Sequence, residues 1–176
     1  IVIANPPYVR TQILGAEAAK KLAVKYDLKG RVDLYFPFIL SISQMLNDKG
    51  VCGVITSNRF MTTKAGASVR AAMLRLFDIH HIWDLGYTKL FEAAVLPAVF
   101  LAKNKSDKSV GETKFTSIYE TDDASHSDKI CTDPIEAISE EGISKVSDGR
   151  CFSVRHGVLA VLSDKEAVWR LSDDHG

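Results

Sequence analysis

The sequence predicts an α/β fold: the C-terminal half of a doubly wound sheet, ending in an antiparallel hairpin and followed by a small α+β extension. Three observations carry this. Short β-branched runs alternate with longer segments of helical period. The first run, Ile1-Val2-Ile3-Ala4, passes straight into a stiff polar loop, Asn5-Pro6-Pro7-Tyr8, and open α/β sheets bind ligands beyond the carboxyl ends of their strands. Two apolar runs, 79–85 and 95–102, then follow each other with no helical segment between them, the pattern of a strand pair joined by a turn.

Taken in order, residues 1–4 read as a strand and 5–10 as a loop. Residues 15–27 have the Ala, Glu, Lys and Leu content of a helix. Asp33 is placed to cap a helix running to residue 47, with Leu34, Phe38, Ile42, Met45 and Leu46 on one stripe. Pro37 falls in its first turn, where proline is tolerated. Asp48-Lys49-Gly50 is a turn and 51–56 a buried strand. Thr62 or Thr63 caps a further helix to residue 77, with Val69, Met73, Leu74 and Leu76 as its core candidates. Strands 79–85 and 95–102 follow, and Pro97 is best accommodated near a sheet edge. Residues 103–113 form a polar linker. Beyond it we expect a strand at 114–119, a helix at 134–141 and a helix at 163–171 capped by Ser163. The chain thus divides into a core half, 1–104, and an extension or linker, 105–176.

The loop is a compact chemical device. Proline fixes φ and donates no hydrogen bond, and a residue before proline is pushed out of the helical region. Asn5 and Pro6 both precede a proline, so their backbone is nearly predetermined. That stiffness aims the Pro6 carbonyl and the Asn5 side-chain oxygen outward as converging acceptors, which suit an –NH2 group with two hydrogens to give. Tyr8 offers a face on which a base can stack, worth roughly 1–3 kcal/mol.

This loop resembles the catalytic motif of amino-group methyltransferases that use S-adenosylmethionine. It is most similar to that of adenine-specific (N6) DNA methyltransferases of Type I and Type IIG restriction–modification systems, in the gamma arrangement. The resemblance spans roughly residues 1–104. It also rests on Asp33-Leu34-Tyr35, Lys49-Gly50, Asn58-Arg59-Phe60 and Leu90-Phe91, in that order. It implies the second half of a Rossmann-like methyltransferase sheet acting on double-stranded DNA. By the same resemblance, Asn5 and the Pro6 carbonyl bind the target amine, Tyr8 stacks on a flipped adenine and Phe91 contacts the base on its other side or its edge. Asp33 and Tyr35 border the cofactor side. Residues 105–176 lead toward a target-recognition region, and a restriction endonuclease domain or subunit is the implied partner. The glycine-rich loop for the cofactor is absent. We therefore expect a fragment of a longer protein, inactive alone.

Composition narrows the setting. The chain has 176 residues, 46% apolar and 25% charged, an ordinary globular balance. No run of 18 apolar residues occurs, so no membrane span is expected. Cys52, Cys131 and Cys151 are widely spaced without a C-x-x-C pair, which argues for a reducing cytoplasm and against a zinc site. Cys52 reads as inert packing. His80-His81 has no acidic neighbour at ligand spacing, so no metal is expected. Net charge is zero, but residues 1–31 hold six basic against two acidic groups and residues 100–176 ten against fifteen. Arg10, Lys20, Lys21 and Arg59 are candidates for contact with DNA phosphate.

The chemistry expected of such a site is electrostatic. The exocyclic amine of adenine is a poor nucleophile because its lone pair is delocalised. Two acceptors on its hydrogens localise that pair and stabilise the positive charge that develops. The base must first leave the duplex, at a cost of a few kcal/mol. Two other readings fit parts of the sequence: a methyltransferase acting on the glutamine amide of release factors, and a non-catalytic DNA-binding or structural module. The segment beyond residue 104 and Phe91 argue against the former.

Overall fold

The parallel register of the first strand with its neighbour sets the fold. In the computed structural model, which describes residues 1–8, 15–30, 32–90, 95–106, 111–123, 129–160 and 167–172, β1 (Val2–Ala4) pairs in parallel with β2 (Val51–Ser57), Ala4 opposite Val54. Between them run the helices α1 (Ala16–Tyr26) and α2 (Tyr35–Met45). After β2 come a short helix α3 (Arg59–Thr62), a single 3-10 turn at Lys64–Gly66, and α4 (Ala67–Leu76). Then follow β3 (Phe77–Asp84) and β4 (Pro97–Asn104), which pair antiparallel. The extension adds β5 (Lys114–Thr121), β6 (Lys129–Cys131), a short helix α5 (Pro134–Ala137), β7 (Gly142–Val146), β8 (Cys151–Leu159) and β9 (Leu171–Ser172). The described strands form one sheet in the order β1-β2-β4-β3-β5-β8-β7-β6, with β9 on β8.

The expected α/β class and the antiparallel closing pair are present. β4 inserts between β2 and β3 and is antiparallel to both, so β1, β2, β3 and β5 all point the same way. Pro97 is therefore not near an edge. It occupies the first residue of a central strand, opposite Ser57, the other position where a sheet accepts proline.

Two cores flank the sheet. On one face, Phe36, Ile39 and Leu40 of α2 and Val69 and Met73 of α4 pack on Cys52, Val54, Ile82 and Phe100. Alternation along the strands sends Ile118, Phe152 and Val154 to the other face, where Ala137 of α5 and Val146 meet them. The expected α2 stripe needs correction. Ile42 and Leu46 are buried, but Phe38 and Met45 are 40% and 68% exposed, and the buried set adds Tyr35, Phe36, Pro37, Ile39 and Leu40. Tyr-Phe-Pro-Phe-Ile-Leu is apolar all round, so period alone cannot choose a face; contact with the sheet, α1 and α4 does.

Other expectations are revised locally. Asp33 does not cap α2 through its side chain; its carbonyl accepts from Phe36 N at 3.0 Å and the helix starts at Tyr35. Thr63 does cap, its Oγ1 accepting from Gly66 N at 3.3 Å, but the cap serves the 3-10 turn before α4. The helix expected at 134–141 stops at Ala137 although Asp133 caps it well, because Gly142, at φ 119°, already opens β7. Of the helix expected at 163–171, residues 163–166 lie outside the described residues. The remainder is not helical: Trp169 N donates to Met61 O at 2.8 Å and Leu171 pairs with Leu159 in the sheet. Backbone groups spent on neighbouring elements are not available to a helix.

Candidate active site at the carboxyl edge of the sheet

Where β1 ends, Asn5 is exposed, Pro6 is buried and Tyr8 is half-buried. The Tyr8 hydroxyl donates to Asn5 Oδ1 at 3.1 Å, so the loop is stapled across its two prolines. Beneath it, Tyr35 meets the Tyr8 ring edge-on, with centroids 6.2 Å apart at 70°. Phe36 in turn meets Tyr35 edge-on at 4.6 Å. Tyr35 is 3% exposed. Burial pushes its phenol well above the usual range, with the Asp33 carboxylate adding to the rise and Arg59 opposing it. Burial raises Tyr8 as well. Both phenols therefore stay protonated, and Tyr8 remains a donor. The Tyr35 hydroxyl has no hydrogen-bond partner among the described residues. The Ser57 hydroxyl is near enough to temper its rise in pKa but lies outside bonding geometry.

The neighbouring strand ends share this edge. Because β1, β2, β3 and β5 are co-directional, Asn5, Asn58 and Leu85 all begin loops on one side of the sheet. Asp84, 9% exposed at the end of β3, ties the β2 and β3 ends to β5. Its Oδ1 accepts from Asn58 Nδ2 at 2.9 Å, and its Oδ2 from the Tyr119 hydroxyl at 2.5 Å. Burial and the Asp84 carboxylate push the Tyr119 phenol up, so it too stays a donor.

The structure thus brings together Asn5, Pro6, Tyr8, Asp33, Tyr35 and Arg59. Arg59 is exposed at the start of α3. Lys20 and Lys21 stand on the exposed face of α1, where Lys21 pairs with Glu17 at 2.9 Å. Phe91 and Arg10 lie outside the described residues. Sequence reasoning missed Asp84 and Tyr119. The available signal was an acid closing an apolar strand just before a glycine, in Trp83-Asp84-Leu85-Gly86. Among the described residues no group of three or more His, Cys, Asp or Glu could hold a metal ion. His81 instead stacks on Trp83 at 3.8 Å and bonds Thr116 Oγ1 at 2.9 Å.

Residues 1–91 match the Eco57I restriction–modification methylase family. The chain belongs to that family. Among curated relatives, it is 40% identical over 181 residues to the Type II methyltransferase M.BanIII of Aneurinibacillus aneurinilyticus, covering 99% of this chain and 31% of the relative. It is 34% identical to M.BstVI of Geobacillus stearothermophilus, covering 75% and 23%. The chain therefore spans less than a third of the length of these relatives. The fold is similar to part of the type IIG restriction endonuclease BpuSI, with a TM-score of 0.52 at 18% identity, covering 89% of this chain and 19% of that one. No described helix is long and apolar enough to cross a membrane.

Proposed function

We propose that the protein containing this chain methylates the N6 amine of an adenine flipped out of double-stranded DNA, using S-adenosylmethionine. One observation carries the reading: an exposed Asn5 whose side-chain oxygen is held at 3.1 Å from the Tyr8 hydroxyl at a strand's carboxyl end. The amine displaces that hydroxyl, giving one hydrogen to Asn5 Oδ1 and the other to the Pro6 carbonyl. Both acceptors then stabilise the charge that develops on nitrogen. Asn5 is neutral and weakly basic, so it takes no proton; the proton leaves to water after transfer. Tyr8, braced from below by Tyr35, presents a fixed stacking face, and Phe91 closes on the base from its other side.

The donor set suits a cationic, hydroxylated cofactor. Asp33 is half-buried and supplies negative charge beside the loop, and the Tyr35 hydroxyl has an unused hydrogen-bonding capacity. These two residues are the chain's contribution to holding it. When bound, S-adenosylmethionine supplies an electrophilic sulfonium methyl. Arg59, Arg10, Lys20 and Lys21 are assigned to the DNA backbone. The partners in this reading are a target-recognition region and a restriction endonuclease, in the cytoplasm.

The test is Asn5→Ala in the full-length enzyme, scored by mass spectrometry of nucleosides from a DNA substrate and of a glutamine-bearing peptide. N6-methyladenine that disappears with the substitution supports the reading. Undiminished DNA methylation, or methylation of the peptide alone, refutes it.

A further inference from the structure

Side chains of the extension converge on the segment that leaves β3. Tyr119 of β5 donates to Asp84 Oδ2 at 2.5 Å, while Asp84 Oδ1 takes Asn58 Nδ2 at 2.9 Å and Gly86 N at 3.4 Å. Arg150 donates from Nη1 to the Thr88 carbonyl at 2.9 Å. Its guanidinium is itself fixed, by Asp148 at 2.7 Å and by the Phe152 ring at 5.0 Å. Gly86 presses on β5: a Cβ there would lie 2.5 Å from the Ile118 carbonyl. Leu90 packs against the second core. The far side is fastened as well, Asn58 N donating to Leu96 O at 2.8 Å and Leu85 N to Pro97 O at 3.0 Å.

The segment so held is conformationally demanding. Gly86 has φ 46° and Lys89, with a side chain, φ 51°. A non-glycine residue in that region costs on the order of 1 kcal/mol and persists only where its surroundings over-determine it. Asp84 is a buried carboxylate satisfied by neutral donors, an arrangement that costs desolvation but fixes direction. An apolar contact would pack this junction without fixing an angle.

We propose that Tyr119 and Arg150 are positioning residues for methylation: acting through Asp84 and Thr88, they set where the segment 85–90 meets the base beside Asn5 and Tyr8. This rests on the function proposed above, in which Phe91, next in the chain, contacts that base. It gives the extension a task at the active site. A displacement of about 1 Å at a positioned contact can cost two orders of magnitude in rate, so a brace of this kind is expected to show in kcat.

The experiment uses the full-length enzyme with Tyr119→Phe and Arg150→Met, which keep bulk, and Asn5→Ala beside them. The readouts are kcat and KM for DNA, emission of 2-aminopurine at the target position, affinity for S-adenosylmethionine and the thermal midpoint. We expect each brace variant to lose about tenfold in kcat and to change the 2-aminopurine emission at saturating DNA, with cofactor affinity unchanged and a thermal midpoint that falls by a few degrees yet stays well above the assay temperature. Tyr119→Phe added to Asp84→Asn should cost nothing further, since both break one link. Unchanged kcat and emission in Tyr119→Phe, or a loss that only tracks a lowered thermal midpoint, overturns the proposal. If Asn5→Ala abolishes methylation while the brace variants do not, only the positioning role fails. If Asn5→Ala is also harmless, the underlying function fails.

Discussion

The Tyr8 hydroxyl points at Asn5 Oδ1, 3.1 Å away, and so contends for the oxygen that the proposed function assigns to the target amine. The ring and the hydroxyl of Tyr8 therefore have opposite consequences. Tyr8→Phe keeps the stacking face and removes the competitor, so methylation should stay within a few-fold of the parent. Tyr8→Ala removes about 1–3 kcal/mol of stacking and should cost roughly tenfold to a hundredfold. Steady-state methylation assays on the full-length enzyme separate the two.

Asn5 is expected to matter more. Removing one preorganised partner of a developing charge typically costs about 10²–10³ in kcat. Asn5→Ala should fall in that range with little change in DNA affinity, since the contact strengthens as charge develops. Single-turnover rates and DNA titrations check it.

Arg70 is a buried cation, 2% exposed, that ties three carbonyls together: Ala167 at 2.8 Å, Phe60 at 2.6 Å and Thr63 at 2.9 Å. Arg70→Met leaves those acceptors stranded and should destabilise by about 3 kcal/mol. A lower urea midpoint at unchanged slope is the expected signature.

His81 should give the fold an acid-sensitive limb. Burial, with Lys114 and His156 beside it, lowers its pKa from 6.5 to about 4. The folded state thus holds neutral imidazole where the unfolded chain binds a proton. Stability is complete above about pH 6.5 and declines as pH falls toward 4. Solvent screening of a half-exposed ring limits the effect to about 1 kcal/mol. His81→Phe, which preserves the stack on Trp83, should flatten this limb in thermal melts across that range.

Cys52, Cys131 and Cys151 are free and buried, and burial pushes the Cys52 thiol up to about 11. Thiolate is the reactive form, so maleimide labelling should be slow in the native protein and rapid in urea. Fast native labelling at any of the three would contradict this packing.

Legibility followed the range of the physical signal. The strand at 51–56, the helix at 15–27 and the loop at Asn5–Tyr8 rest on local pattern, and all were readable. The buried face of α2 was not, because Tyr35–Leu40 is apolar on every side and its neighbours choose the face. The fate of Trp169 was not either, since its backbone partner, Met61, is distant in sequence. The partnership of Asp84 was not legible either, since Tyr119 arrives from the extension, 35 residues further along the chain. Resemblance pointed to the loop Asn5–Tyr8 but said nothing about what steadies its surroundings.

The parallel ladder of β5 on β3, Trp83 opposite Thr116, bears on how this protein can be cut and recombined. The polar stretch at 103–113 invites a chimaera junction, as linkers usually do. A graft made there would strip β3 of a partner, bare its hydrogen-bonding edge to aggregation and carry Tyr119 away from Asp84. A donor module exchanged after Ser172 leaves that ladder whole.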